Sequence, residues 1–150
     1  MNDKTITFEL PWPPSTNHYL RHFILPGRKA PSTCISADGR AFLCKVGWTL
    51  LKLRIPKIVG ELAMNIDLYP PNRRRIDVDN RAKPILDSLK RRPKDKDQIR
   101  GCWLFADDDS QVTVLRIAKR QVVPGGKAVV TVVPLQGPGS QMPLFERSET

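Results

Sequence analysis

Residues Glu61–Ser88 read ELAMNIDLYPPNRRRIDVDNRAKPILDS. The first nine residues alternate apolar side chains with polar or small ones, a pattern that predicts a strand with one buried face. Two prolines end this strand, and the arginine run Arg73–Arg75 then leads into Asp77 and Asp79. A helix is predicted to follow from Asp79 or Asn80, because both residue types are good helix N-caps. The strand is therefore followed by a loop that contains both basic and acidic side chains.

Patterns on either side of this stretch complete an α+β fold. Thr5–Leu10 alternates and predicts a strand, and Ser36–Arg54 has apolar residues at helical spacing, which predicts an amphipathic helix capped by Ser36 or Asp38. Two more strands are predicted at Gln111–Val123 and Ala128–Val133, joined as a hairpin by the glycines between them. The element order predicts an α+β (mixed α/β) fold in which two main helices pack on a small mixed sheet.

Composition restricts the class of protein. A chain of 150 residues predicts one domain, placed at residues 1–135, and the Gly-, Pro- and Ser-rich residues 136–150 are predicted to form a disordered tail. The net charge of +10 favours a polyanionic partner, with nucleic acid ahead of an anionic membrane surface. The chain has no signal-peptide pattern and no apolar run of roughly 18–20 residues, so we expect a soluble, cytoplasmic protein. Its three cysteines lack metal-ligand spacing and are expected to be reduced thiols.

The acids of the central loop are candidate metal ligands. Asp77 and Asp79 are one residue apart, and in an extended segment such side chains point the same way. Mg²⁺ prefers hard oxygen ligands and usually takes one or two protein carboxylates. Asp109, or a neighbour in the run Asp107–Asp109, would close the site from another part of the chain. The residues alone therefore predict a Mg²⁺ site.

Basic side chains near these acids are candidate phosphate ligands. Three consecutive arginines suit phosphate binding: Arg73, Arg74 and Arg75. Lys83 lies one helical turn after Asp79, where it can stabilise charge that develops on a phosphate or orient an attacking water. Asp87, four residues after Lys83, is interpreted as a helix ion-pair partner rather than a ligand.

Ser15–Pro31 is predicted to be an irregular, basic segment. From it we predict DNA contacts by Asn17, His18 and Arg21. His18 and His22 are close enough in sequence to be metal ligands or a catalytic base, but the simpler interpretation is that they line a loop or touch phosphate.

Four segments, taken in order, resemble the RusA family of Holliday junction resolvases: LPWPPSTNHYLRH (Leu10–His22), SADGRAF (Ser36–Phe42), RRRIDVDNRAK (Arg73–Lys83) and DDSQV (Asp108–Val112). The resemblance implies a RusA-like, homodimeric, Mg²⁺-dependent endonuclease, in which Mn²⁺ could replace Mg²⁺. Such an enzyme makes paired cuts in four-way DNA junctions during recombination and repair, in a bacterial or phage-infected cell.

The resemblance also implies roles for particular residues. Asp77, Asp79 and Asp109 correspond to the family's catalytic, metal-binding acids, and Lys83 corresponds to its catalytic lysine. Asn80 matches the asparagine of the motif and is expected to support the site.

Two departures from the family pattern affect substrate contacts more than the reaction. Ile76 stands where a basic residue can precede the first aspartate, and the segment between Lys83 and Asp108 is longer than usual. Because Asp107 precedes the matched pair, the third ligand could also be Asp108.

Three alternatives stay open on the sequence. The protein could be a non-catalytic, basic DNA-binding or architectural protein whose acids are incidental. The basic loop Lys90–Arg100 could contact DNA or be a solvated charged insertion. A dimer could form through Trp48 or through the apolar patch around Trp103.

Overall fold

The computed structural model describes residues 5–93, 95–96, 98 and 102–135, so the predicted tail at 136–150 lies outside the described residues. The described residues confirm the predicted α+β class with a small mixed sheet. In chain order the elements are β1 (Ile6–Pro11), α1 (Thr16–Tyr19), β2 (Leu20–Ile24), β3 (Pro31–Ile35), α2 (Ala37–Leu53), β4 (Leu62–Tyr69), a 3₁₀ turn (Asp79–Arg81), α3 (Ala82–Leu89), a second 3₁₀ turn (Asp109–Gln111), β5 (Val112–Lys119) and β6 (Lys127–Pro134).

The main sheet has the strand order β1-β6-β4-β5. β4 pairs in parallel with β5 and antiparallel with β6, which in turn pairs antiparallel with β1. The predicted hairpin between β5 and β6 is therefore wrong, because β4 lies between them. The connection from β5 crosses the end of β4, where the Arg120 N–H donates to the Leu68 carbonyl and the Val123 N–H donates to the Pro70 carbonyl.

β4 is buried on both faces, so the prediction of a single buried face is also wrong. One face joins the core shared with α2 and α3 through four apolar side chains: Leu62, Met64, Ile66 and Leu68. The other face carries Asn65 and Asp67, whose side chains are joined by a 2.9 Å hydrogen bond. Arg120 Nε lies 2.7 Å from Asp67 Oδ1, and this arginine is half-buried. Burial of the carboxylate is tolerated because it is paired and hydrogen-bonded.

The predicted helix α2 is confirmed, and Ser36 is its cap. The Ser36 hydroxyl accepts a 3.0 Å hydrogen bond from the Gly39 N–H. Glycine is needed there, since a Cβ on Gly39 would lie 2.7 Å from both the Tyr19 carbonyl oxygen and Ile35 Cγ2. Arg54 ends the helix in a left-handed conformation, with φ 51°. The first turn of α2 is thus fixed against α1 and β3.

α3 begins later than predicted. The 3₁₀ turn covers Asp79–Arg81, and the α-helix starts at Ala82. Pro84 is then the third helical residue, where its missing N–H costs no helix hydrogen bond. Ile85 and Leu89 point into the core.

β2 and β3 form a separate antiparallel hairpin. β2 and α1 lie inside Ser15–Pro31, so the prediction that this segment is irregular is wrong, and β3 follows it. Most residues of both strands are exposed or half-buried, so the sequence lacks the alternation that marks a half-buried strand. None of the helices in the described ranges combines the length and apolar character that crossing a membrane requires.

Candidate functional site

Residues 77–81 are here named the first acidic turn, and residues 107–111 the second acidic turn. The N-terminal segment packs directly on the first acidic turn. Arg81 Nη1 donates a 2.6 Å hydrogen bond to the Pro13 carbonyl, and the guanidinium lies 4.9 Å from the centre of the Trp12 ring. Thr16 Oγ1 donates a 2.9 Å hydrogen bond to the Asn80 carbonyl. Burial lowers the pKa of Arg81. These contacts fix α1 beside the turn that begins at Asp79, and the sequence alone gave no signal for the role of Arg81.

The three DNA contacts predicted from this segment face solvent. Asn17, His18 and Arg21 are all exposed. His18 Nδ1 lies 2.7 Å from Ser15 Oγ, while His22 pairs with a threonine of β3, so each ring has a hydroxyl partner of its own. The expectation that both histidines line a loop is wrong, because His18 lies in α1 and His22 in β2, while a phosphate contact by His18 stays a prediction.

The arginine run lies on an exposed loop after β4. Arg73, Arg74 and Arg75 are exposed, and none of them forms an ion pair within the described residues. The Asn72 side chain accepts a 3.0 Å hydrogen bond from the Arg74 N–H, which shapes the start of the loop. The three guanidinium groups are therefore available to a polyanion.

Asp77 and Asp79 are exposed, but the backbone between them is not extended. Val78 has φ −66° and ψ −36°, which is a helical conformation. The argument that alternation points both carboxylates the same way is therefore wrong at this position. Asp79 Oδ1 accepts a 3.0 Å hydrogen bond from the Asn80 N–H at the start of the turn. Through its backbone, Asn80 contacts both Asp79 and Thr16.

The second acidic turn is attached to the start of β4 by Gln111, a role that the sequence did not reveal. Gln111 Nε2 donates to the carbonyls of Ile58 and Gly60, both at 2.8 Å, and Oε1 accepts from the Asp107 N–H at 2.7 Å. Asp108 Oδ1 accepts a 2.8 Å hydrogen bond from the Ser110 N–H.

Asp108 and Asp109 differ in exposure and in hydrogen bonding. Hydrogen bonds from Ser110 lower the pKa of Asp108, so its carboxylate is occupied as the cap of the turn. Asp109 is half-buried at the first position of the same turn. Asp79 Oδ1 accepts the same kind of backbone bond at its own turn, so this bond does not decide which of the two acids, Asp108 or Asp109, is the third ligand.

A single chain places the two acidic turns at opposite ends of a strand–helix–strand unit. Asp109 lies just before Val112, which pairs with Leu62 at the start of β4, whereas Asp77 follows the end of β4. The eight residues of α3 separate the turns by about 12 Å of helix alone. In agreement, no three Asp, Glu, His or Cys side chains in the described residues are close enough together to hold a metal ion.

Asp87 links two lysines on α3. Its Oδ2 lies 3.2 Å from Lys83 Nζ and its Oδ1 lies 2.9 Å from Lys90 Nζ, which confirms the interpretation of this buried acid as an ion-pair partner. The hydrogen bond from Asp87 raises the pKa of Lys90, and the charges of Asp109 and Asp108 add to this effect. Lys90 is therefore a cation beside the second acidic turn that the sequence did not single out.

Tyr19 lies behind this pair of lysines. Its side chain is fully buried, and burial, followed by the nearby Asp87 carboxylate, raises the pKa of its hydroxyl. The hydroxyl therefore stays protonated and neutral beside the ion pairs.

The described part of the basic loop closes the end of α3. Arg92 Nη1 donates to the Asp87 carbonyl at 3.1 Å, its Nε lies 2.9 Å from Asp95, and Gln98 Nε2 donates to the Lys90 carbonyl at 2.9 Å. These residues support the helix and are not free for DNA. Arg91, Pro93 and Lys96 of the loop are exposed, and its positions 94, 97, 99 and 100 lie outside the described ranges.

Comparison with known proteins identifies relatives across nearly the whole chain. The family model for Endodeoxyribonuclease RusA matches residues 11–132. Crossover junction endodeoxyribonuclease RusA of Escherichia coli (strain K12) is 33% identical over 133 residues, which cover 88% of this chain and 95% of the relative. The proteins of that name from Shigella sonnei (strain Ss046) and Enterobacteria phage 82 are each 34% identical over 133 residues, with the same coverage. The matched span includes both acidic turns.

Proposed function

The chain belongs to the RusA family of endodeoxyribonucleases, and we propose that it resolves Holliday junctions by paired phosphodiester cuts in DNA recombination and repair. The observation that carries the proposal is the family match over residues 11–132, which contains the arginine loop and both acidic turns. The relatives are named crossover junction endodeoxyribonucleases and come from bacteria and a phage. We therefore place the protein in the cytoplasm of a bacterial or phage-infected cell.

The proposed cofactor is Mg²⁺, which Mn²⁺ could replace, and the proposed ligands are Asp77, Asp79 and Asp109. Carboxylate oxygens are the donors that Mg²⁺ prefers. None of the three acids is paired with a lysine or arginine among the described residues, whose ion pairs use other carboxylates. When bound, the metal would activate water and stabilise the leaving oxygen.

A homodimer reconciles these ligands with the separation of the two turns. A four-way junction has approximate two-fold symmetry, and two identical subunits present two identical sites to it. If matching elements of the two copies run antiparallel, the Asp77 end of one copy lies beside the Asp109 end of the other. We propose that each site combines Asp77 and Asp79 of one copy with the partner's Asp109.

The remaining side chains have separate proposed tasks. Lys83 pairs with Asp87 but keeps a side chain that is 51% exposed, so its ammonium can stabilise charge that develops on a phosphate. Six exposed side chains would bind the DNA backbone: Arg73, Arg74, Arg75, Asn17, His18 and Arg21. Asn80 would support the site through its backbone contacts to Asp79 and Thr16.

A junction-cleavage assay separates this enzyme from a non-catalytic DNA-binding protein. Asp77→Asn removes a charge that repels phosphate, so junction binding should be retained or tightened while cutting with Mg²⁺ is lost. Linear duplex of the same sequence is the matched substrate control. A wild-type protein that binds junctions but never nicks them, with either Mg²⁺ or Mn²⁺, would reject the proposal in favour of an architectural role.

A further inference from the structure

A cavity of about 630 Å³ opens at the end of the main sheet where β4 begins. β1, the end of α2 and residues 55–59 form its walls, and Pro134 at the end of β6 also lines it. Leu53 and Val59 belong to these walls and are 50% and 79% exposed, so large apolar side chains stay uncovered there. The volume falls within the roughly 300–1,000 Å³ of typical ligand-binding cavities. The cavity is therefore large and apolar enough to bind several side chains.

The described chain leaves the fold beside this cavity. Pro134 lines the cavity, and the N–H of the next residue, Leu135, donates a 2.8 Å hydrogen bond to the Glu61 carbonyl just before β4. Residues 136–150 follow, outside the described ranges and beyond the span 11–132 that matches the family. Any role of these residues is therefore separate from what the family match supports.

One apolar cluster lies in the sequence after Leu135. Residues 136–150 read QGPGSQMPLFERSET, in which Met142–Phe145, here named the tail cluster, stands in polar and glycine-rich sequence. The six residues 136–141 separate it from Leu135 and include Gly-Pro-Gly, a sequence that favours turns. Six extended residues reach roughly 20 Å. Because the cavity begins at Pro134, this linker is long enough for the tail cluster to turn back into it.

The charges around the cavity favour the same segment. Arg54 and Lys57 line the cavity, and neither forms an ion pair within the described residues. Glu146 directly follows the tail cluster, and residues 136–150 carry two acids and one base in a chain of net charge +10. The other undescribed segment beside the cavity, residues 1–4, has one acid, one base and a single apolar side chain. Apolar content and charge thus both select the tail cluster.

We propose that the tail cluster binds back into the cavity of its own chain, with Leu144 and Phe145 against the apolar walls and Glu146 beside the two cations. A short tether gives an effective concentration on the order of millimolar, so contacts too weak to hold a free peptide keep the cavity occupied. Burial of a phenylalanine alone removes roughly 150–250 Å² of surface from water. The disorder predicted for residues 136–150 then applies only to the residues around the tail cluster.

Occupancy of the cavity affects the second acidic turn through Ile58. This residue lines the cavity, and its N–H donates to the Leu104 carbonyl at 2.8 Å. Its own carbonyl accepts from Gln111 Nε2 at 2.8 Å. A tail cluster packed on residues 55–59 therefore restrains the backbone to which the second acidic turn is bound. Only this consequence, and not the docking itself, rests on the proposed function.

Thiol labelling measures whether the cavity is covered. In the full chain with Cys34→Ser and Cys44→Ser, the one cysteine left is Cys102, which is buried. Val59→Cys then adds a thiol at a cavity position that is 79% exposed in the described chain. If the dissociation constant of the tail cluster is a tenth of its effective concentration, the cavity is filled about nine-tenths of the time, and this thiol reacts about tenfold more slowly than in an open cavity.

Substitutions in the tail cluster identify the occupant. Leu144→Ser together with Phe145→Ser should speed labelling of the Val59→Cys chain about tenfold, because the apolar contacts are lost. Val122→Cys is the matched control, at a residue that is 41% exposed in the connection between β5 and β6, which crosses the other end of β4. Its labelling rate should be the same with and without the two serines.

A charge exchange tests the placement of the acid. Arg54→Glu sets a like charge beside Glu146 and should speed labelling of the thiol at position 59. Adding Glu146→Arg to that chain should slow labelling again, because the pair then has opposite charges. Recovery separates a direct contact from damage to the end of α2, whereas labelling that stays fast in the double variant overturns the placement of Glu146.

Three outcomes overturn the proposal. Fast labelling in the chain with an unsubstituted tail shows an open cavity. Slow labelling that the two serines leave unchanged shows another cover, such as residues 1–4. Slow labelling that becomes fast on dilution shows a second copy as the source, because a chain that covers its own cavity does so at any concentration.

The same labelling separates the docking from the proposed function. A chain that labels as expected but never cuts junctions keeps the docking and rejects junction resolution. A chain that cuts junctions but labels fast keeps junction resolution and rejects the docking.

Discussion

Mixing two inactive variants tests whether each active site is shared between two chains. One variant carries Asp77→Asn and the other carries Asp109→Asn. Each homodimer lacks a ligand in both of its sites, so neither variant should cut a junction alone. In a mixed dimer that shares ligands across the interface, one of the two sites contains both substitutions. The other site keeps Asp77, Asp79 and the partner's Asp109 intact.

The size of the recovery follows from the topology and the symmetry. The two acidic turns lie at opposite ends of the β4–α3–β5 unit, so the proposed site takes Asp109 from the second copy. Random exchange of subunits makes about half of the dimers mixed, and each mixed dimer has one working site of two. Nicking should therefore recover to about a quarter of the wild-type rate. Paired cuts should stay absent, because they require two working sites in one dimer.

The assay combines the variants at equal concentration, allows subunit exchange, and follows end-labelled strands of a four-way junction with Mg²⁺. Asp77→Asn mixed with Asp79→Asn is the matched control. These two ligands lie in one turn, so every site of that mixed dimer is defective and no nicking should return. A mixture of Asp77→Asn and Asp109→Asn that stays as inactive as its parents, although mixed dimers are shown to form, refutes the shared site.

Three further variants test the supporting structure and the DNA contacts. Asp87→Asn should lower the free energy of unfolding by about 1–3 kcal/mol in urea titrations, because it removes a buried acceptor of charged hydrogen bonds. Folding raises the pKa of Lys90 from its ordinary value of 10.5, so the stability that this lysine contributes is complete below pH 10.5 and is lost as the pH rises through the folded-state pKa. In Asp87→Asn this loss of stability at alkaline pH should shrink. An unchanged dependence of stability on pH would contradict the pairing of Lys90 with Asp87. Arg75→Ala should weaken binding to all DNA and reduce the slope of log K against log salt by about 0.9, whereas an unchanged slope would mean that the side chain does not touch phosphate. Gly39→Ala sets a Cβ 2.7 Å from the Tyr19 carbonyl oxygen and should cost about 1–3 kcal/mol by thermal unfolding, unless α2 shifts without loss of stability.

The elements that could be predicted are those whose signal is local. α2 has a helical repeat of apolar residues and a serine cap, and it was found with nearly its observed bounds. β4 was found from its alternation. The β2–β3 hairpin was missed because neither strand has a buried face, so its residues do not alternate between apolar and polar.

Strand pairing could not be predicted, because it depends on competition between distant segments. β5 and β6 are adjacent in sequence and are separated by turn residues, which favours a hairpin. β4 has two edges, however, and the backbone groups of a buried strand need partners on both sides. α3 supplies the crossover that a parallel neighbour requires, so β5 takes one edge of β4 and β6 takes the other.

Among the functional residues too, those with a local sequence signal could be predicted and those that act through distant contacts could not. Asp77, Asp79 and the arginines could be proposed from neighbouring charges, whereas Asp109 was selected within its acidic run by family resemblance. Gln111 and Arg81 act through contacts to residues more than 50 positions away in the sequence, and no local sequence pattern predicts such contacts.

α3 explains why a chain with this charge can keep its proposed metal ligands unpaired. The net charge is +10, so cations outnumber acids in the chain. Asp87 pairs with Lys83 on α3 and with Lys90 just after it, so both lysines are engaged by an acid that is not a proposed ligand. The helix sets the distance between the turns and also engages the cations that would otherwise neutralise them. Because α3 separates the two turns, the proposed site needs Asp109 from a second copy of the chain.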